Sequence, residues 1–287
     1  MIRRRWAGYL FLLPYLTLFG AFLLGPLIYG LVLSFMQYDM LSPEPAKFIG
    51  MENYSEALGD AYFWKSLRAT TLFVVMSVPI TIPLALLLAV AVEAVNGKRQ
   101  MFYRIAIFAP SVVSVSVVSL IWRWFYNKEF GLLNALLAPL GVEPIGWLNT
   151  PLTAMTGIVV MTLWWTIGGP MLVLLAGLKQ IPAQYYEAAA IDGAVGWRAF
   201  ARITLPLLRP ALLFSLVMNL IGAFQVFGQP FILTGGGPEL GTRVAMQYIY
   251  QTAFQFYRLG YGAAMSWLLF LVIAVFAAFQ FRMMRER

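Results

Sequence analysis

Six apolar stretches, at approximately residues 9–35, 68–92, 104–125, 153–177, 210–233 and 260–281, set the limits on what this chain can become. Each reaches the about 20 residues that a helix needs to cross a bilayer. The connections between them are neither long nor polar enough to form a soluble domain. The sequence therefore predicts an all-α membrane protein of six transmembrane helices, with residues 1–287 forming one transmembrane domain. Composition points the same way, since charged residues make up 11% of the chain, against about 25% in soluble domains. Proline interrupts several runs, at Pro14 and Gly25-Pro26, at Pro79 and Pro83, and at Pro110. Membrane helices tolerate such breakers when neighbours satisfy the freed backbone groups. Kinked helices around a cavity are expected rather than a straight bundle.

Lysine and arginine sort the connections into two sides. One set carries Arg3, Arg4, Arg5, Lys98, Arg99, Arg104, Lys179, Arg198, Arg202, Arg209, Arg282, Arg285 and Arg287, which is 13 of the 20 basic residues. The other set, on and beside segments 36–67, 126–152 and 234–259, carries seven, together with most of the acids. The excess of basic residues on the inner side of membrane proteins places both termini and the loop at 178–209 in the cytoplasm. The net charge of +8 then reads as topogenic, not as a nucleic-acid footprint. Aromatic residues of the outer segments, such as Tyr38, Trp64, Trp147 and Tyr248, suit interfacial anchors, or else contacts to an outer partner. The basic start followed by an apolar run resembles a signal peptide. That run continues to about Phe35, beyond an h-region of about 7–15 residues, so a retained first helix is expected.

Cysteine and histidine are both absent, which excludes disulfides, thiol chemistry and the usual zinc sites and removes the commonest general base. No Asp, Glu, Lys or Arg lies at the centre of any apolar run. Carriers driven by protons or ions keep such groups at mid-depth. The energy source is therefore expected outside this chain, and the transported species is expected to be neutral. A nucleotide site is not recognisable either. The one Gly-Lys pair, Gly97-Lys98, continues with Arg99 and lacks the surrounding phosphate-loop pattern. The chain is read as a transport subunit, not an enzyme, that binds no cofactor; any ATP-Mg would be hydrolysed by partner subunits. A self-sufficient secondary carrier is the alternative from another class.

The loop at 178–209 reads as two short helices. Pro182 suits a first helical turn, residues 183–192 are helix formers, and Gly193 fits the left-handed position that closes a helix. A second short helix is expected from about Trp197 to Ile203, ended by Leu205-Pro206. Ala188, Ala189 and Ala190 make the first helix thin enough to enter a groove on a neighbour, and Glu187 offers it one charge.

This segment carries a pattern, EAA-x3-G-x9-I-x-LP, with all seven fixed positions filled by Glu187, Ala188, Ala189, Gly193, Ile203, Leu205 and Pro206. On it, the chain resembles the permease subunits of ATP-binding-cassette importers. The stretch Tyr186–Ala194 and the sequence Phe231-Ile232-Leu233-Thr234-Gly235-Gly236-Gly237-Pro238 narrow the resemblance to bacterial binding-protein-dependent sugar importers of the maltose, lactose and glycerol-phosphate type. Val226-Phe227-Gly228 departs from the Val-Phe-Asp arrangement frequent in the family's first-subunit type. The resemblance implies a type I importer fold in the bacterial cytoplasmic membrane. It also implies a second homologous permease, two ATPase subunits and an extracytoplasmic solute-binding protein as partners. By motif position Glu187, Ala188, Ala189, Asp192 and Gly193 would dock on the ATPase. The implied cargo is a sugar or oligosaccharide, with a polyol or glycerol-phosphate-type solute as the alternative.

A neutral sugar needs hydrogen-bonding groups and aromatic faces at mid-depth. The fifth run supplies Asn219 and Gln225 with Phe224 and Phe227 nearby, and the fourth supplies Trp164 and Trp165. An unpartnered amide in hydrocarbon is costly, so Asn219 either bonds a neighbouring helix or faces the substrate path. Asn219, Phe224, Gln225 and Trp164 are the candidate path residues. The serines Ser111, Ser114, Ser116 and Ser119 read as small packing residues, and Gly235-Gly236-Gly237-Pro238 as an outer turn.

Overall fold

A computed structural model describes residues 3–42 and 44–285. Arg287, used above to orient the chain, lies outside the described residues, as do the side chains of Arg3, Arg4, Arg5 and Arg285. In chain order the helices are α1 (Arg3–Phe19) and α2 (Gly25–Ser34), joined by a π turn over Gly20–Leu24, then α3 (Glu52–Gly59) and α4 (Ala61–Glu93). Next come α5 (Gly97–Phe108) with a 3-10 turn over Ala109–Val112, α6 (Val115–Phe125), α7 (Leu132–Leu137), α8 (Pro151–Thr166) and α9 (Gly168–Lys179). The inner loop holds α10 (Ala183–Ile191), α11 (Trp197–Ala199), a π turn over Phe200–Thr204 and α12 (Leu205–Leu207). The rest is α13 (Arg209–Phe224), α14 (Gly228–Leu233), α15 (Ala245–Tyr250) and α16 (Leu259–Arg285). Among the described residues, four helical stretches can span a membrane by length and hydropathy, and up to six if each of two bent pairs counts as one span.

The kinks differ from the sequence expectation in an instructive way. Pro79 and Pro83 lie inside α4 without breaking it. One side of α4 is buried and carries the small residues Ser66, Thr70, Ser77, Thr81, Ala85 and Ala89, with Phe73 among them. Pro110 instead accompanies a true elbow: α5 with its 3-10 turn and α6 meet at 96°. Val113 and Ser114 are extended there. The third run is therefore two half-helices rather than one kinked span. Two side chains take up backbone groups freed at the break: Trp165 Nε1 donates to the Val113 carbonyl at 3.0 Å and Ser111 Oγ to the Phe108 carbonyl at 2.6 Å. The fourth run bends by 46° between α8 and α9. Thr150 and Thr153 form a reciprocal capping box at the start of α8, which satisfies donors that a helix start leaves open.

The chain divides into two compact units, Met1–Trp64 with Tyr248–Val272, and Lys65–Gln247 with Ile273–Arg287. Within the second, Ala85, Ala89 and Val92 of α4 pack with Ile167, Met171, Leu174, Leu175 and Leu208. Within the first, a two-residue antiparallel ladder pairs Met36–Gln37 with Lys47–Phe48. Asn53 Nδ2 donates to the carbonyls of Ser34 and Met36, at 3.0 Å each, and Arg258 forms a bidentate pair with Glu56 at 2.7 Å.

Asp60 is the knot of the first unit. Its Oδ1 accepts from the Tyr62 backbone at 2.8 Å, and its Oδ2 from the hydroxyls of Tyr248 at 2.6 Å and Tyr261 at 2.9 Å. Burial pushes the carboxyl up, but the bonds from Tyr248, Tyr261 and the backbone of Tyr62 and Phe63 outweigh it and hold it below its usual value. A depressed folded value means that this contribution to stability is complete above about pH 4 and is lost only as pH falls further. Asp60→Ala removes the acceptor of the Tyr261 hydroxyl, on a residue that is 3% exposed, and should lower stability by about 2–4 kcal/mol. Thermal melts in detergent should show that loss at constant size from pH 5 to 8 and a smaller one in acid.

Candidate functional site

The inner loop folds around α10. Its end is set by Gly193 at φ +73°, a left-handed conformation that glycine adopts without a Cβ penalty. The Ala194 N–H bonds the Ala189 carbonyl at 2.8 Å and the Gly193 N–H bonds that of Ala190 at 3.1 Å, the paired closure that follows such a glycine. Glu187, Ala188, Asp192 and Gly193 are exposed, whereas Ala189 is buried. The second half of the loop departs from the sequence expectation. Leu205-Pro206 does not end a helix there, because a π turn resets the register and Pro206 falls in the first turn of α12, where its missing N–H is harmless. Tyr186 Oη and Thr204 Oγ1, 2.9 Å apart, bond the two halves together.

The tip of this loop is strongly apolar and open. Ile191 is 88% exposed, Val195 64% and Trp197 76%. A cavity of about 310 Å³ lies at the foot of α10, lined by residues including Gly177, Gln180, Pro182, Tyr185, Leu208 and Ala211. Exposed apolar side chains gathered beside a thin, capped helix form a surface suited to a protein partner.

In the second unit a cavity of about 200 Å³ opens between α4, α8 and α13 with the start of α14. Its polar lining is Ser77 and Thr81 of α4, Thr162 and Thr166 of α8, Asn219 of α13 and Gln229 of α14, and among the described residues no charged side chain lines it. Thr81, Thr162 and Thr166 each donate their hydroxyl proton to the carbonyl four residues back, at 2.7–2.8 Å. Ser77 Oγ is buried without a partner among the described residues. The arrangement can hydrogen-bond a neutral, polar solute, and it offers no ionised group for a proton relay or an ion site.

Of the four residues named from sequence, Asn219 lines this cavity. Phe224 is buried and packs on Phe276 with ring centroids 5.2 Å apart. Gln225 is exposed at the end of α13. Trp164 is 48% exposed and packs on Trp122 at 5.7 Å. Sequence reasoning missed the hydroxyls and Gln229. The hydroxyls carry a signal, since Ser77/Thr81 and Thr162/Thr166 are polar pairs at i, i+4 inside apolar runs and each pair falls on one face of its helix.

A family model described as "Binding-protein-dependent transport system inner membrane component" matches residues 57–285. Among similar proteins, "Probable ABC transporter permease protein YesP" of Bacillus subtilis (strain 168) is 36% identical over 281 residues, covering 96% of this chain and 89% of its own. "Lactose transport system permease protein LacF" of Rhizobium radiobacter is 35% identical over 285 residues, covering 98% and 94%. The fold is similar to a chain of a solved bacterial ABC transporter involved in the import of the acidic polysaccharide alginate, with a TM-score of 0.84, 25% identity and 99% and 97% coverage. With a match over most of its length, this chain belongs to the family of binding-protein-dependent transport system inner membrane components, the permease subunits of ABC transporters.

Proposed function

We propose that this chain lines the translocation path of an ATP-driven importer that carries a sugar or oligosaccharide delivered by an extracytoplasmic binding protein. The observation that carries this reading is the uncharged, hydroxyl- and amide-lined cavity around Asn219. Its volume falls below the about 300–1,000 Å³ of complete ligand pockets. The remaining wall is assigned to a second, homologous permease. Relatives named for trehalose/maltose and for arabinooligosaccharides support the sugar class. A relative is also named for sn-glycerol-3-phosphate, but the uncharged lining favours a neutral cargo.

The drive enters at the inner face. In this reading Glu187, Ala188, Ala189, Asp192 and Gly193 seat α10 in a groove of an ATPase subunit, and Ile191, Val195 and Trp197 cover the contact. Both chain termini and this loop lie in the cytoplasm, in accord with the distribution of basic residues. ATP-Mg is then bound and hydrolysed by the ATPase subunits, and their closure switches the helices between two states.

The test is uptake into vesicles holding the chain with its partner permease, ATPases and binding protein, across a panel of neutral sugars and an anionic control. Uptake should require both ATP and the binding protein and should be confined to neutral sugars. Asn219→Ala should lower uptake of the preferred sugar about tenfold, the scale of a lost polar contact that leaves partners unpaired, with basal ATP hydrolysis retained. Uptake without nucleotide, or an unaltered sugar profile in the variant, would overturn the reading.

A further inference from the structure

Gln100, near the start of α5, makes four hydrogen bonds that reach three helices. Its Nε2 donates to the Val92 carbonyl at 3.0 Å and to Glu93 Oε2 at 3.2 Å, at the end of α4. Its Oε1 accepts from Arg104 Nη2 at 2.8 Å, one turn further along α5, and from Lys179 Nζ at 3.2 Å. Lys179 is the last residue of α9, and its Nζ also lies 3.8 Å from Glu93 Oε2. A carboxamide suits this place because it donates from one end and accepts at the other. A carboxylate would lose the two donated bonds, and an ammonium the two accepted ones. The Val92 carbonyl belongs to the last turn of α4, whose carbonyls lack partners inside the helix.

Half-exposed ion pairs such as Glu93–Lys179 add little to stability, so the position of the cluster matters more than its strength. Lys179 lies three residues before Pro182, from which α10 starts. Any tilt of α10 therefore pulls on Lys179 through two intervening residues. Arg104 Nε is buried without a partner among the described residues, so the cluster holds a donor that a second arrangement of these helices can use.

We propose that Gln100 is a positioning residue for coupling. Its two-ended amide clamps the inner ends of α4 and α5 onto the end of α9, so that a push on α10 moves the three helices as one body. The proposal rests on the reading of α10 as the ATPase-docking helix.

The test measures solute imported per ATP hydrolysed in vesicles holding the complete transporter. Gln100→Leu should lower that ratio about three- to tenfold, the scale of mutations within a coupling network, with the complex still assembled and basal hydrolysis present. Gln100→Glu should lower it too, because the new carboxylate faces Glu93. The double variant Glu93→Gln, Gln100→Glu restores a bond between the two side chains but leaves the Val92 carbonyl facing a carboxylate, so it should recover about half of the ratio lost in Gln100→Glu. A residue that served stability alone would change the yield of assembled complex in these variants and leave the ratio where it was. An unchanged ratio in Gln100→Leu, a fall that only tracks lost complex, or no recovery in the exchange would each overturn the proposal. Gly193→Trp runs in parallel. If it lowers uptake and stimulated hydrolysis together while Gln100→Leu leaves the ratio unchanged, the clamp is wrong and the docking reading stands; if neither has an effect, both fall.

Discussion

Gly193→Trp is expected to abolish most uptake and most binding-protein-stimulated ATP hydrolysis together, while leaving membrane insertion intact. The backbone at Gly193 has φ +73°, and a bulky side chain held there costs about 1–3 kcal/mol. At about 1.4 kcal/mol per factor of ten, the ratio of correctly closed to open α10 falls about 5- to 150-fold. The two bonds that close the helix, from Gly193 to Ala190 and from Ala194 to Ala189, are lost with it, and the exposed tip at Ile191 and Val195 turns away from its partner. Uptake assays and ATPase assays on the same vesicles check this. Normal values for both would remove α10 from the coupling path.

The second large effect is expected at the elbow between α5 and α6. A Cβ added to Gly168 would lie 2.6 Å from the Phe108 Cα and 2.8 Å from the Ile107 carbonyl oxygen. Both are backbone atoms, and neither can turn aside as a side chain could. Overpacking of this kind costs about 1–3 kcal/mol or more, and here it falls where α9 presses on the end of α5. Gly168→Ala should therefore melt earlier in detergent and yield less assembled complex. Gly169→Ala is the internal control, since a Cβ there meets nothing within 4 Å, and it should remain within about 0.5 kcal/mol of the parent. Equal behaviour of the two variants would show that the close approach at Gly168 has no energetic weight.

The limits of sequence reading follow from where each cause lies. The six apolar runs and the inner loop were legible because hydropathy over about 20 residues is a local property. Gly193 was legible for the same reason: a glycine after a run of helix formers signals its own conformation. Proline was ambiguous because its outcome depends on distant neighbours. The elbow at Pro110 is held by Trp165 and by the bare surface of Gly168, both more than fifty residues away, whereas α4 passes Pro79 and Pro83 unbroken. The register change at Phe200–Thr204 left no mark that the Leu205-Pro206 pair could reveal. In the cavity, Asn219 was visible because an amide stands out in an apolar run. The threonines were not, because threonine is commonplace in membrane helices and only the i, i+4 pairing on two separate helices distinguishes these.

Those same threonines have a consequence for selectivity. Thr81, Thr162 and Thr166 have each committed their only hydrogen to their own helix, so toward the cavity they present oxygen lone pairs alone. These oxygens accept from O–H groups, while Ser77, Asn219 and Gln229 bring donors to the same lining. In the proposed path a polyalcohol would thus meet acceptors that the spiral of the walls has fixed in advance, before any charged side chain takes part.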